Sequence, residues 1–389
     1  MEKRAIIAIG VVAVLVIGGL AYVALSNNGD DDNEQESKGG WYSWNPKTFL
    51  VASSNVAPSP YWVNTIEMMY EGLYGSAPSY DRYAIKDVPS DFLSYESLVS
   101  YNDLGQLVVK SKYADASKNW SSYDVTFDKM PTGGIGTGSF FVCLYYALCE
   151  QAGVDPMAYD SNVIAKMWKM AFGGDEALYS GLERNYNIPV AGFNGVQLPN
   201  PSKISDNKEK YVAMIDDLKS RGEVPVWLCS GSSPAYENGG QWMRELMETN
   251  GFYAVTFSIS TFSDCLAEIE AIAHIFGMGD TAKNLIDNLR VQMYTLYKSS
   301  EEQVQKTGHA YTGLGTYTNS DWTFADKSGM GEMFYILHIK NVYTKTASGN
   351  WEGENVIRAQ PEVILFCMSN PSLVDWNQAM RVPAETVAS

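Results

Sequence analysis

Residues Gly251–Lys298 read GFYAVTFSISTFSDCLAEIEAIAHIFGMGDTAKNLIDNLRVQMYTLYK, and the succession of strand, helix and longer helix within them decides the architecture. Phe252–Ile259 is a short β-branched and aromatic run, the composition of a buried strand. Leu266, Ile269, Ile272, Ala273 and Phe276 then recur at helical spacing. Gly277 and Gly279 end that helix, because glycine accepts the left-handed turn past a helix terminus. Asp280 or Thr281 is placed to cap a second helix, about 281–306. Its apolar stripe is Ala282, Leu285, Ile286, Leu289, Met293, Leu296 and Tyr297, one face at a 3.6-residue period. At ~1.5 Å per residue such a helix spans roughly 39 Å. A helix of that length in mid-chain can join two lobes rigidly. An ordinary pair of core helices has the same periodicity, so the flanking segments must decide between the two.

Upstream, NKEKYVAMIDDLKSRGEVPVWLCSG (207–231) gives a short helix and then the strand Val224–Cys229, apolar on both faces and so central in its sheet. A polar loop, Ser230–Gly240, follows at the carboxyl end of that strand and contains Tyr236. Open α/β sheets place ligand crevices at such ends. Further upstream, YDVTFDKMPTGGIGTGSFFVCLYYALCEQAGVDPMAYD (123–160) leads through Gly133, Gly134, Gly136 and Gly138 into a helix. Free amides there, beside Thr137 and Ser139, can receive an anionic group. No GK[ST] follows, so this is not a nucleotide-hydrolysing phosphate loop. Downstream, His309–Leu314 reads as a strand, and its loop GTYTNSDWTFADKSG (315–329) holds Tyr317 and Trp322. A helix over Met330–Ile339 comes next, and WEGENVIRAQPEVILFCMSNP (351–371) gives a short helix, a proline turn and the strand Val363–Cys367.

These residues resemble substrate-binding proteins of the iron-siderophore and vitamin B12 family of ABC importers. The resemblance rests on TFSDCLAEIEAIAHIFGMGDTAKNLIDNL (261–289), on Met130–Gly153 as an opening unit, and on Glu354 followed by Pro361-Glu362-Val363-Ile364. It covers roughly Tyr123–Pro371. It implies an α/β fold of two Rossmann-like lobes joined by one long backbone helix (about 281–306); the apolar run at the amino terminus places an N-terminal transmembrane helix before it. The implied organisation is an anchor at 1–25, an acidic linker at 26–40, and an N-terminal lobe at 41–258 with 41–122 as an extra segment. Interlobe helices follow at 259–306 and a C-terminal lobe at 307–389, shorter than the family's. The resemblance further implies capture of a metal complex (an iron chelate or ferric siderophore, haem or cobalamin) for ABC permease and ATPase subunits. Thr137, Ser139, Ser230, Tyr236, Tyr317 and Trp322 are its ligand-binding candidates. Glu209 and Glu354 correspond to exposed glutamates, one per lobe, that dock on the transporter.

Composition narrows the alternatives. The net charge is −17, which argues against nucleic acid, since that contact neutralises phosphates with Lys and Arg. Ala5–Leu25 is an uncharged apolar run long enough to cross a bilayer core of about 30 Å. Lys3 and Arg4 precede it and Asp30, Asp31, Asp32, Glu34 and Glu36 follow, an order that predicts a single-pass anchor in the cell membrane with the bulk of the chain outside. A cleaved signal peptide is the competing reading. Three histidines, no HExxH and no GxSxG leave an enzyme unsupported, and no cofactor or metal cage is expected. Five cysteines show no CxxC pair and read mostly as small buried apolar groups. The 25 Tyr and 10 Trp suit an aromatic ligand cleft, or else the open platform of a surface adhesin or glycan-binding protein.

Overall fold

A computed structural model describes residues 48–53, 60–114, 120–137, 139–154, 171–173, 196–198, 208–230, 237–317, 322–350, 355 and 358–368. The anchor at 5–25, the acidic linker, Tyr236 and Glu354 lie outside the described residues. Among the described residues, no helix is long and apolar enough to cross a membrane.

The first sheet is all parallel and has five strands: β5 (Gly133–Thr137), β6 (Ala171–Gly173), β7 (Val196–Leu198), β8 (Pro225–Ser230) and β9 (Tyr253–Phe257). Their spatial order is β7-β6-β5-β8-β9. The chain therefore steps outward on one side of β5 and then returns to build β8 and β9 on the other. β8 sits between β5 and β9, and Val226, Trp227, Leu228 and Cys229 are all buried, as an apolar run covered on both faces requires. Helices α2 (Ser139–Ala152), α3 (Lys208–Ser220), α4 (Glu237–Thr249) and α5 (Phe262–Ile275) belong to this half of the chain.

The long helix, α6, runs from Gly279 to Thr307. Its buried face is Ala282, Leu285, Ile286, Leu289, Met293 and Leu296, while Tyr297, at the margin of the same stripe, is half-buried. Neither Asp280 nor Thr281 caps it. The position before the helix is Met278, which has no side-chain cap, and Asp280 lies inside the first turn. The left-handed Gly277 (φ +71°) reverses the chain so tightly that Met278 N–H still bonds back to Ala273 O (2.7 Å), and α6 starts at once. Gly308 (φ +66°) ends it.

After α6 comes the second sheet, containing β10 (Thr312–Tyr317), β11 (Trp322–Thr323), β12 (Lys340–Asn341), β13 (Gly349–Asn350) and β14 (Val363–Met368). β10 pairs parallel with β14 on one side and with β12 on the other, and further along that second side β11 pairs antiparallel with β10 (Thr316↔Thr323) and with β13. Helix α7 (Gly329–Ile336) connects β11 to β12. It is shorter than the 330–339 span that its apolar pattern suggests, because His338 takes a left-handed backbone (φ +53°) that a helix cannot continue. A further parallel strand completes the sheet from far upstream. β1 (Thr48–Ser53) pairs with β14 from Thr48↔Val363 to Ser53↔Met368. Residues 48–53 thus hydrogen-bond into the second sheet, not into the N-terminal lobe of 41–258, since they satisfy the otherwise open edge of β14.

The remaining upstream segment is a three-stranded antiparallel sheet, β2 (Val99–Tyr101), β3 (Leu107–Ala114) and β4 (Trp120–Phe127). It covers the outer edge of β9. The Thr256 amide donates to Ser111 Oγ (2.9 Å), that hydroxyl contacts Thr256 O (3.2 Å), and Tyr123 Oη donates to Ala254 O (3.4 Å). Helix α1 (Trp62–Tyr74) and the stretch after it lie against α6 instead. Arg290 of α6 holds that stretch by donating to the carbonyls of Phe92 (2.9 Å) and Pro89 (3.0 Å). The described residues belong to one compact unit, and their largest apolar core runs from Leu144 and Val255 through Leu289 to Phe334 and Leu365. Four of the cysteines are buried, Cys143, Cys149 and Cys265 in this core and Cys229 in a smaller cluster with Tyr211, Trp227 and Met243, matching the apolar role read for them.

Candidate functional site

Each sheet has one place among its parallel strands where the strand order reverses, and the loops leaving the carboxyl ends of the two strands there splay to opposite faces. In the first sheet that place is β5/β8, where Thr137 pairs opposite Cys229 and Ser230 ends the neighbouring strand. Ser139 opens α2 two residues later. In the second sheet it is β10/β14, with Tyr317 opposite Cys367. Trp322 pairs opposite Asn350 in the short strand beside the end of β10. Backbone topology thus gathers Thr137, Ser139 and Ser230 at one switch point, and Tyr317 and Trp322 at the other.

The carboxyl edges of the two sheets are linked at one point. Helix α5 starts at Phe262, five residues after β9 ends at Phe257, so its amino end lies at the carboxyl edge of the first sheet. Helix α7 packs along β10 with Met330 near Gly315 and Phe334 near Gly313, which puts its amino end at the carboxyl edge of the second. Those amino ends touch. The Glu332 carboxylate, on α7, accepts a hydrogen bond from the Phe262 amide at the first position of α5. The flanking amides of Ser260, Thr261 and Asp264 are met locally. Thr261 Oγ1 accepts from Asp264 N–H (3.1 Å), and Asp264 Oδ2 accepts from the amides of Thr261 (2.9 Å) and Ser260 (3.0 Å), a reciprocal capping box.

The electrostatics of this contact are acidic. Burial, with the Asp264 charge adding in the same direction, pushes Glu332 up to about 7, although the bond from Phe262 N–H opposes the rise. Cys265, one residue beyond Asp264, is pushed well above the ordinary thiol range, first by burial and then by Glu268, with Glu332 and Asp264 contributing. It is an inert core thiol, not a nucleophile. Among the described residues no group of acidic, histidine or cysteine side chains is arranged to hold a metal ion.

Sequence reasoning named neither Glu332 nor Thr261-Ser263-Asp264 as site residues. The pattern Thr-x-x-Asp before the apolar run of α5 was a readable cap. Nothing in the sequence says that an acid 68 residues past Asp264 supplies the same helix end. Of the docking candidates, Glu209 is exposed in the first turn of α3, where an acid also complements the helix dipole. His274 bonds Tyr101 Oη (3.2 Å), and His338 lies 4.4 Å from the Tyr297 ring, centroid to centroid.

No protein-family model matches the chain, and neither does any curated protein. Solved structures do. The chain resembles helical-backbone binding proteins. One is an ABC transporter substrate-binding protein from Listeria monocytogenes EGD-e, 12% identical over 67% of this chain and 86% of that one, with a TM-score of 0.43. Another is a periplasmic binding protein from Veillonella parvula DSM 2008, 14% identical over 73% and 80%, with a TM-score of 0.43. A third is the periplasmic vitamin B12 binding protein of Vibrio cholerae, 13% identical over 66% and 86%, with a TM-score of 0.39. These neighbours are binding proteins rather than enzymes.

Proposed function

We propose that this chain is the extracytoplasmic substrate-binding component of an ABC importer, and that it captures a metal complex (a ferric siderophore, haem or cobalamin) in the crevice between its two parallel sheets. The observation that carries the reading is the contact between the amino ends of α5 and α7. It links the amino end of a helix that follows the first sheet to the amino end of a helix packed on the second, which supports a crevice between the strand ends of the two sheets. The tyrosine and tryptophan positions Tyr236, Tyr317 and Trp322 supply the aromatic surface that an organic chelate or macrocycle packs on. Thr137, Ser139 and Ser230 supply short polar groups on the opposite rim.

In this reading residues 5–25 anchor the chain in the cell membrane with the bulk outside, and 26–40 form its tether. Glu209 and Glu354 meet basic residues of the permease subunits. Such exposed pairs contribute about 0–1 kcal/mol each and mainly orient the encounter. The continuous α6 restricts hinge motion, so closure on a ligand is small.

Native mass spectrometry and absorbance titration of the full chain in detergent, with haem, cobalamin and a ferric siderophore panel, test this. One of these is expected to give a one-to-one complex that Tyr317→Ala or Trp322→Ala weakens about tenfold or more, the loss of ~1.4 kcal/mol. No complex with any of them, together with retention on a glycan array, would instead establish the platform of a surface adhesin.

A further inference from the structure

The Glu332 bond is the point at which one half of the molecule holds the other at the mouth of the crevice. The carboxyl belongs to α7, which packs on β10 of the second sheet, and the amide belongs to the first residue of α5, which follows the last strand of the first. Thr261 and Asp264 already satisfy the neighbouring amides from within α5. Phe262 N–H is left for a partner from outside the helix, and Glu332 is that partner. We propose that Glu332 is a proton-controlled clasp, closing the crevice when its carboxyl is protonated and releasing it when the carboxyl is charged. The proposal rests on the crevice reading above and adds to it a control element.

Ionised, Glu332 sits half-buried against a second acid, Asp264, with the buried Glu268 and Cys265 behind them on α5 and Cys143 of α2 next to Cys265. On the other side of α7, Lys298 and Glu301 of α6 face His338, beyond the far end of the helix, and not Glu332. Burial and Asp264 raise Glu332 to about 7 while it is clasped. In an open crevice water would return it to the ordinary carboxylate range. The clasped form therefore binds the proton more tightly. Its advantage is complete below the ordinary carboxylate range and is lost as pH rises through about 7. Protonated, the carboxyl still offers a carbonyl oxygen to Phe262 N–H, so closure at low pH keeps the bond while removing the repulsion.

The test measures the crevice without any ligand. Spin labels on non-natural amino acids replace the exposed Lys208 and Lys327, one on each half, in the full chain, and pulsed EPR reads the distance between them from pH 5.5 to 8.5. The wild type is expected to shift from a single short distance to a longer or broader one with a midpoint near 7. Glu332→Gln, which keeps the acceptor and cannot ionise, is expected to hold the short distance throughout. Asp264→Asn is expected to move the midpoint downward. A distance that does not change with pH in the wild type, or a Glu332→Gln profile that tracks the wild type, would overturn the clasp. If the Gln variant does not fold by circular dichroism, the wild-type titration alone decides. Because no ligand enters, a failed clasp leaves the importer reading standing, and a chain that binds none of the metal complexes can still show the clasp.

Discussion

At the scale of single residues, the amino end of α5 concentrates the most consequence in the fewest atoms. Thr261 supplies the cap oxygen, and Thr261→Ala is expected to cost about 1 kcal/mol, within the ~0.5–2 range for lost N-caps, read as a drop in denaturant midpoint at unchanged slope. Gly313 has no room for a methyl group, because a Cβ there meets Ile339 Cγ2 at 2.5 Å and Phe334 at 3.1 Å. Gly313→Ala is therefore expected to lose about 1–3 kcal/mol by overpacking, and a neutral result in the same unfolding experiment would contradict the packing of α7 on β10. Glu332 also makes stability depend on pH. Its carboxyl is raised to about 7 in the folded chain, so its contribution is fully present below the ordinary carboxylate range and is lost as pH rises through 7. Thermal melts of the wild type and Glu332→Gln should differ in one direction only, with the variant gaining relative stability from the ordinary carboxylate range up to about pH 7 and no further above it. Of these residues, only the Thr261 cap was legible beforehand, because capping is written in neighbouring positions while the Glu332 contact depends on which distant element lands there.

At the scale of elements, α6 was the most readable part of the chain. Its stripe from Ala282 to Leu296 repeats without a break, and a pattern that long outweighs any local propensity. Its start was less readable, since the tight Gly277 turn let it begin at Gly279 without a side-chain cap. Strands β8 and β14 were legible from continuous apolar runs. The partner of β1 was not legible. Pairing between residues more than 300 positions apart leaves no periodic trace in either. The covering of β9 by β3 was hidden for the same reason. Two substitutions test these elements. Gln292→Pro removes a helical hydrogen bond and clashes with the preceding turn at the middle of α6, so it should cost about 3 kcal/mol or more. Its second signature is the loss of common unfolding between the two sheets. Ser111→Ala leaves Thr256 N–H without its acceptor at a buried edge, with an expected cost of about 1–3 kcal/mol. Faster hydrogen exchange at β9 in that variant is the local check.

At the scale of the whole molecule, the halves are joined three times: by α6, by β1 reaching from the upstream segment into the second sheet, and by the Glu332 contact. One apolar core runs under all three. The structure is therefore expected to unfold in one calorimetric transition, and two resolved transitions would mean that the sheets are energetically separate. With the Glu332 contact released, α6 and β1 still limit how far the two halves can separate. The chemical placement of the crevice side chains is set by loops leaving the strand ends, and loops carry the least periodic information. The candidates there follow from topology.

The most direct measurement is hydrogen exchange along the full chain, made alone and after adding haem, cobalamin or a ferric siderophore one at a time. The crevice account predicts that one of them protects three stretches together: the end of β5 into α2 (133–140), the end of β8 into α4 (226–240), and the end of β10 through β11 (313–323). Protection of only one sheet's strand ends, or of the β2–β4 segment (99–127) alone, would contradict it.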